Sequence, residues 1–297
     1  MLNIIQKRKI WFILSGIVIL AGIISLSLYG LKLGIDFTGG ALIEIEFKEV
    51  RPDLSEIDKI LEPLELEQAP IQPTGERGIL LRTKPLNEEK HKELLSTLGD
   101  KFGQIEEIRY ESIGPTIGKE LRRKAIYAIS VALVCIVLYI AYAFRKVSKE
   151  IPSWKLGLCT IGALVHDTFI VLGIFSILGH YFGIEITALF IVALLTILGY
   201  SVNDTIVVFD RTRENLLSTK EEIFDQTVNK SVNQCLTRSI NTSTTTFLVL
   251  LAIFLFGGET IRYFILALMM GVIVGTYSSI FIASPLLVAW QRLTKRT

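Results

Sequence analysis

Six uninterrupted apolar stretches restrict what this chain can fold into. They run from Ile10 to Leu31, Ala125 to Phe144, Leu156 to Leu178, Ile186 to Phe209, Ser239 to Gly258 and Tyr263 to Trp290. A helix needs roughly 20 apolar residues to cross a bilayer core, and each stretch meets that length. With 297 residues, 51% of them apolar, the chain is too greasy for an ordinary soluble domain. The expected fold is a polytopic α-helical membrane protein with six transmembrane helices. No charge interrupts the first stretch between Lys9 and Lys32. A cleaved signal peptide is the rival reading there, but the run is too long for an h-region and lacks an A-x-A-like exit. It reads as a permanent anchor.

Charge placement orients the helices. Lys7, Arg8 and Lys9 precede helix one, and Arg145, Lys146, Lys149 and Lys155 lie between helices two and three. Arg211, Arg213, Lys220 and Lys230 lie between helices four and five, and Arg292, Lys295 and Arg296 close the chain. The short connections near His180–Glu185 and Gly257–Arg262 carry one arginine. The positive-inside rule then puts residues 1–9 and 291–297 in the cytoplasm, with the chain in the cytoplasmic (inner) membrane. Arg122, Arg123 and Lys124 fall on the outer side and depart from the rule. They border a long translocated segment, where the rule is weak.

That segment, residues 36–112, has a different texture. Ile43, Ile45 and Phe47 alternate with Glu44, Glu46 and Lys48, a strand with one buried face. Asp53 with Glu56 reads as a capping box opening a helix that buries Leu54, Ile57, Ile60, Leu61 and Leu64. Strands are expected at Glu67–Ile71 and Gly78–Arg82, with Pro70 and Pro73 marking the former as an edge. A second helix starts near Asn87 and buries Leu94, Leu95, Leu98 and Phe102, before a last strand from Ile105 to Ile113. The order βαββαβ predicts a ferredoxin-like α/β domain outside the cytoplasm, between helices one and two. It is too small for a deep catalytic cleft and carries no Ser-His-Asp set, so docking is expected rather than enzymatic chemistry. Cys135, Cys159 and Cys235 have neither disulfide nor metal spacing. No cofactor, metal or nucleic-acid partner is expected.

Polar groups inside the apolar stretches carry the functional signal. A charge at bilayer depth costs roughly 2.5–3.5 kcal/mol on insertion scales and usually has a partner or a task. His166 and Asp167 fall within helix three, Asp204 in the inner part of helix four, and Arg238 at the cytoplasmic entry to helix five. On helix four, Thr196, Tyr200, Asn203 and Val207 share a face with Asp204 on its flank and Thr205 beside it, a face too polar for lipid. On helix five, Arg238, Asn241 or Thr242, and Thr245 lie on one side, amid a run of hydroxyls able to hold water or bridge helices. Desolvation drives a lone carboxylate to its protonated form, whereas a nearby arginine favours the ionised form. A carboxylate whose distance from an arginine can change therefore loads and unloads a proton. Static explanations stand beside this one. Either aspartate can make a fixed helix–helix bond, His166 can be a satisfied core histidine, and an arginine at a helix end can simply snorkel. On helix six, Gly271, Gly275, Ser279 and Ala283 form a ridge of small residues suited to close helix packing. Residues 210–238 read as a cytoplasmic loop containing an amphipathic helix around Ile223, Phe224, Val228 and Val232.

The string Gly199-Tyr200-Ser201-Val202-Asn203-Asp204-Thr205-Ile206-Val207-Val208-Phe209-Asp210-Arg211, followed by Glu214-Asn215, resembles the signature of the SecF branch of the SecD/SecF family. These are membrane subunits of the bacterial protein-export machinery, within the resistance-nodulation-division superfamily. Gly34-Ile35-Asp36-Phe37-Thr38-Gly39-Gly40 resembles the family's junction motif, through Asp36, Gly39 and Gly40. Ser112 to Gly118 is similar to its motif before helix two, and Thr237 to Ser243 to that opening helix five. The resemblance implies a SecD partner with a parallel six-helix plan, the SecYEG channel, exported unfolded polypeptide and surrounding membrane lipid. It implies use of the proton-motive force, or of sodium in some members. It maps the ion-responsive acid onto Asp204 and its arginine onto Arg238, and assigns no role to His166 and Asp167.

Other classes make different demands. A small-molecule or lipid exporter of the same superfamily needs a larger outer domain with a pocket. An intramembrane aspartyl protease presents Tyr-Asp and Gly-x-Gly-Asp, where this chain reads His-Asp and Asn-Asp. A passive scaffold of the translocase uses the same polar residues as fixed contacts.

Overall fold

The computed structural model describes residues 1–64, 66, 70–144, 152–218 and 223–294. Arg145, Lys146, Lys149, Lys220, Lys295 and Arg296 lie outside the described residues, as do residues 67–69 of the strand expected over Glu67–Ile71; the strand found there runs from Ile71 to Thr74. The chain divides into two compact units: residues 1–32 with 127–297, and residues 33–126.

The larger unit is helical. Six helices are long and apolar enough to cross a membrane: Arg8–Tyr29, Pro115–Ala143, Trp154–Phe182, Ala188–Ser218, Phe224–Phe256 and Thr260–Thr294. We label the elements α1 (Arg8–Tyr29), α2 (Ile35–Thr38), β1 (Gly40–Phe47), α3 (Leu54–Leu61), β2 (Ile71–Thr74), β3 (Gly78–Thr83), α4 (Glu88–Phe102) and β4 (Ile105–Ile113). They continue with α5 (Pro115–Ala143), α6 (Ser153–Phe182), α7 (Ala188–Ser218), α8 (Phe224–Phe256), α9 (Glu259–Ser278), a π-helical turn (Ser279–Ala283) and α10 (Ser284–Thr294).

Small residues set the helix contacts, because lipid supplies no hydrophobic drive between helices and close van der Waals approach must do so. The ridge on α9 lies against α7: a Cβ on Gly271 would fall 2.1 Å from Ile197, and one on Gly275 would fall 3.0 Å from Ser201. A second crossing, between α1 and α6, joins Gly22 to Gly173, where a Cβ on Gly173 would sit 2.6 Å from the Gly22 Cα. Just beyond it the Ser25 hydroxyl donates to Ser176 (2.8 Å), whose hydroxyl donates to the Gly30 carbonyl (2.7 Å).

The π turn has a local cause. Pro285 has no N–H to give the carbonyl four residues back, and its ring crowds that carbonyl. The chain widens to π geometry just before it. The Ser284 hydroxyl donates to the Ser279 carbonyl at 3.3 Å, recovering one acceptor.

Both described chain ends lie at one end of the helical unit. Asn229 and Asn233 on α8 clamp the N-terminal segment, accepting from Ile5 N (3.2 Å) and Leu2 N (2.7 Å) and donating to the Leu2 carbonyl at 3.0 and 2.9 Å. Ile4 and Ile5 pack on Val228, Val232 and Val288. Asp225 accepts from Arg292 and lies 3.8 Å from Arg8, while Lys155 reaches Gln291 and Thr294 at 3.1 and 2.9 Å.

Helix limits differ from the sequence reading in an instructive way. Apolar windows mark bilayer depth, not helix length. The segment 210–238, expected as a loop with its own amphipathic helix, is the continuation of α7 to Ser218 and of α8 from Phe224. Leu216 and Val228 are buried, and Asn215 Nδ2 donates to Ser231 and Gln234 at 2.8 Å each, so these extensions pack as two helices. Likewise α5 begins at Pro115, well before Ala125, with proline in the first turn where its missing N–H costs nothing.

The smaller unit is a four-stranded antiparallel sheet in the order β2-β3-β1-β4, with α3 and α4 supplying apolar residues to its core. Ile43, Ile45 and Phe47 are buried against Ile57, Leu61, Leu94 and Leu98, the face expected from alternation. Asp53 caps α3 by accepting from Ser55 N (3.2 Å), and Asn87 caps α4 through Lys90 N (2.9 Å). The register of β4 against β1 slips at Glu44/Ile45, leaving Ile108 unpaired. This bulge brings Glu107 and Tyr110 to His91 of α4, which stacks on Tyr110 (3.8 Å between centroids) and puts Nε2 3.2 Å from Glu107.

Candidate functional site

The polar intramembrane residues gather into two neighbouring carboxylate sites, built from α6, α7, α8 and α9. Asp167 is fully buried on α6. Its Oδ2 accepts from Ser201 of α7 at 2.5 Å and from Ser278 of α9 at 2.7 Å. Its Oδ1 lies 2.9 Å from Nδ1 of His166, itself 5% exposed. Asp204, one turn beyond Ser201 on α7, is half-buried. Its Oδ1 accepts from Ser239 of α8 at 2.6 Å and its Oδ2 from Ser279. Above it Tyr200 donates to Ser243 (3.1 Å), which in turn meets Thr276.

Local sequence explains this convergence. Ser201 and Asp204 are three residues apart, so they share one side of α7. The small ridge lets α9 approach that side, and Ser278 and Ser279 occur where α9 opens into the π turn. Adjacent residues on a helix point in directions about 100° apart, so the two serines serve different acids. Each carboxylate thus has hydroxyl donors from two other helices.

The structure divides the face expected to look inward on helix four. Tyr200 and Asp204 turn toward α8 and α9, whereas Thr196 and Asn203 are exposed on the surface of the chain. Thr205 is buried and returns its hydroxyl to the Ser201 carbonyl at 3.2 Å. On α8, Asn241, Thr242 and Thr245 are exposed, and the threonine hydroxyls bond carbonyls of their own helix. Arg238 is exposed, follows directly before Ser239, and makes no side-chain hydrogen bond or ion pair among the described residues. It lies inside α8 rather than at a helix end, at the edge of the apolar stretch that begins with Ser239. Asp204 and Arg238 therefore flank one serine without touching.

Sequence reasoning missed the four serines that hold the acids. Ser201 and Ser239 stood inside the recognised strings and Ser279 inside the small ridge. Only Ser278 lacked any signal. The cysteines are free, and no metal-holding cluster occurs among the described residues.

In the smaller unit the junction motif has a steric meaning. Gly39 and Gly40 have φ of 75° and 139°, and a Cβ on Gly39 would fall 2.8 Å from the Pro115 Cα. A Cβ on Gly118 would fall 2.9 Å from Gly39 N. The double glycine thus receives the first turn of α5, bringing two of the recognised strings into contact. Asp36 lies in the short α2 that leads into the double glycine.

Fold and site together define a polytopic helical membrane protein with paired intramembrane carboxylate sites and a small α/β domain. Residues 93–293 match the family described as "Protein export membrane protein SecD/SecF, C-terminal", and residues 24–49 match the "SecD/SecF GG Motif". The chain is 45% identical to "Protein translocase subunit SecF" of Thermobaculum terrenum, over 100% of this chain and 98% of that one. It is 35% identical to "Protein translocase subunit SecDF" of Bacillus subtilis over 96% of this chain and 38% of that longer one. The crystal structure of SecDF, "a translocon-associated membrane protein", from Thermus thermophilus superposes with a TM-score of 0.86 at 35% identity, covering 98% of this chain and 39% of that one. The chain belongs to the SecD/SecF family of protein export membrane proteins.

Proposed function

We propose that this chain is the SecF-type subunit of a protein translocase, coupling an ion gradient across the cytoplasmic membrane to polypeptide export without enzymatic chemistry of its own. The observation that carries the reading is Asp204, held by Ser239 of α8 and Ser279 of the π turn, with Arg238 next to Ser239 and without a side-chain partner among the described residues. Rotation of α8 or a new rotamer would bring guanidinium and carboxylate together and favour the ionised acid; separation would favour its protonation. Moving one charge through 100 mV supplies about 2.3 kcal/mol, enough for repeated cycles to do conformational work. The driving ion is a proton or, as in some family members, sodium.

Partners follow from chemistry and from the fused relatives. A SecD-type chain with a matching helical half is the membrane partner, because Asn203 and Asn241 are exposed within the apolar stretches of α7 and α8 and lipid cannot satisfy them. The SecYEG channel, unfolded exported chain and lipid complete the set. We read the small domain as ferredoxin-like from its strand order and place it outside the cytoplasm, with both termini inside.

The test is export measured in cells at a series of membrane potentials, each held fixed during the assay. Asp204→Asn is expected to abolish the dependence of export on that potential. Unchanged export would remove Asp204 from the mechanism. A passive scaffold is the second reading, favoured by the fact that Asp204 already has two donors. Proton uptake by vesicles carrying the chain with its partner, lost in Asp204→Asn, separates the two.

A further inference from the structure

His166 and Asp167 are unused by that mechanism, yet they form the most enclosed titratable pair in the helical unit. Ser201 and Ser278 both donate to Oδ2 of Asp167, leaving Oδ1 to face His166 Nδ1. The other ring nitrogen, Nε2, is buried and has no hydrogen-bond partner among the described residues. The ring lies against Tyr277 of α9 (6.1 Å between centroids, 23° between planes). Tyr277 is occupied elsewhere, its hydroxyl meeting Ser15 at 3.0 Å and donating to the Trp11 carbonyl at 3.3 Å.

A neutral imidazole has one N–H and one lone pair, so the bond to Asp167 decides what Nε2 offers. If Nδ1 donates to an ionised Asp167, Nε2 is a free base. If Nδ1 accepts from a protonated Asp167, Nε2 carries the proton. The pair thus has two proton arrangements and an open position for a third state, the imidazolium beside the carboxylate. Among the described residues no lysine, arginine or glutamate bonds the pair, and the titratable groups in contact with it are each other and Tyr277. From α7 the Ser201 hydroxyl reaches it, and Ser15 and Trp11 of α1 bond Tyr277, which stacks on the His166 ring.

The second acid is linked to this pair through consecutive residues. Ser278 donates to Asp167 and Ser279 to Asp204, at the start of the π turn. Ser201 donates to Asp167 from the turn of α7 that carries Asp204. A change of charge on either acid pulls on a hydroxyl whose neighbour holds the other. We infer that His166 and Asp167 form a second proton-holding site, coupled to Asp204 through Ser278 and Ser279. The inference rests on the ion-coupled reading of Asp204 but is tested by proton occupancy, not transport.

The experiment is nitrogen NMR of labelled histidine in the full chain held in lipid nanodiscs, with His91 and His180 replaced by Gln so that His166 alone of the three histidines reports. Across a pH series the His166 signals are expected to show exchange between protonation states or tautomers. The midpoint of that change is expected to differ between wild type and Asp204→Asn, and Ser278→Ala is expected to erase that difference. If Asp204→Asn does not fold, Ser279→Ala makes the same comparison. A His166 spectrum constant across the range overturns the site. A midpoint indifferent to both Asp204→Asn and Ser279→Ala overturns the coupling. Loss of potential-dependent export is a separate readout, so failure of the motor reading is distinguishable from failure of this one.

Discussion

At the scale of single residues, the two members of the proposed ion couple have opposite structural standing. Asp204 is tied to two helices, whereas Arg238 is exposed and bonded to nothing among the described residues. Arg238→Ala is therefore expected to leave the stability of the isolated chain within about 0.5 kcal/mol while removing potential-dependent export. Thermal unfolding in detergent beside an export assay checks both halves; a destabilised chain would mean Arg238 packs in a way the structure does not show. Ser239→Ala and Ser279→Ala should behave differently. Interhelical hydrogen bonds in membranes average about 0.6 kcal/mol and reach about 1.7 kcal/mol, so each substitution is expected to lower stability by that order. The double variant should lose more than the sum, because it leaves a half-buried carboxylate with no donor. Additive losses would indicate that another group replaces the hydroxyls.

At the scale of elements, small residues decide which helices touch. Gly173 and Gly16 make a controlled pair at α6 and α1. A Cβ at Gly173 would meet the backbone of Gly22 at 2.6 Å, while one at Gly16 would meet nothing within 4 Å. Gly173→Leu is expected to cost at least the 1–3 kcal/mol typical of about one overpacked site, because backbone cannot move aside as a side chain can. Gly16→Leu should be neutral, and unfolding midpoints of the two variants provide the comparison. This scale also marks what the sequence made legible. The ridge Gly271, Gly275, Ser279, Ala283 pointed to close packing, and α9 does lie on α7 through it. The alternation in β1 and the caps Asp53 and Asn87 were readable because they are local patterns. The partners of the acids were not. Serine is common in helices, and nothing local says that Ser278 will meet a carboxylate 111 residues away. The reach of α7 and α8 past their apolar stretches was hidden for a related reason: hydropathy reports the solvent around a helix, not where it ends. The outward turn of Asn203 was hidden too, since one helical step separates it from Asp204 and periodicity alone cannot choose the side that meets a neighbour.

At the scale of the whole molecule, the polar outward surface is the largest departure from what a lone chain in lipid should present. Asn203 of α7 and Asn241 of α8 are exposed and make no side-chain hydrogen bond among the described residues, and Arg238 lies on the same stretch of α8. Each unsatisfied polar group in hydrocarbon costs several kcal/mol by transfer, so the assembled protein must cover them with protein or water. The solved SecDF relative is longer, this chain spanning 39% of it, which leaves room there for a second helical half. Replacing both asparagines by leucine is expected to leave the isolated chain folded, since neither side chain bonds within it. The same change should sharply reduce co-purification with a SecD-type chain from the same genome, because amides that would bridge the two halves become apolar. Ile17→Ala, on an exposed face of α1, serves as the control and should not affect recovery. If the double leucine variant is recovered with its partner as well as wild type, the asparagines face water or lipid in the assembly. The polar surface would then belong to an ion path opening at the protein's edge rather than to an interface between halves.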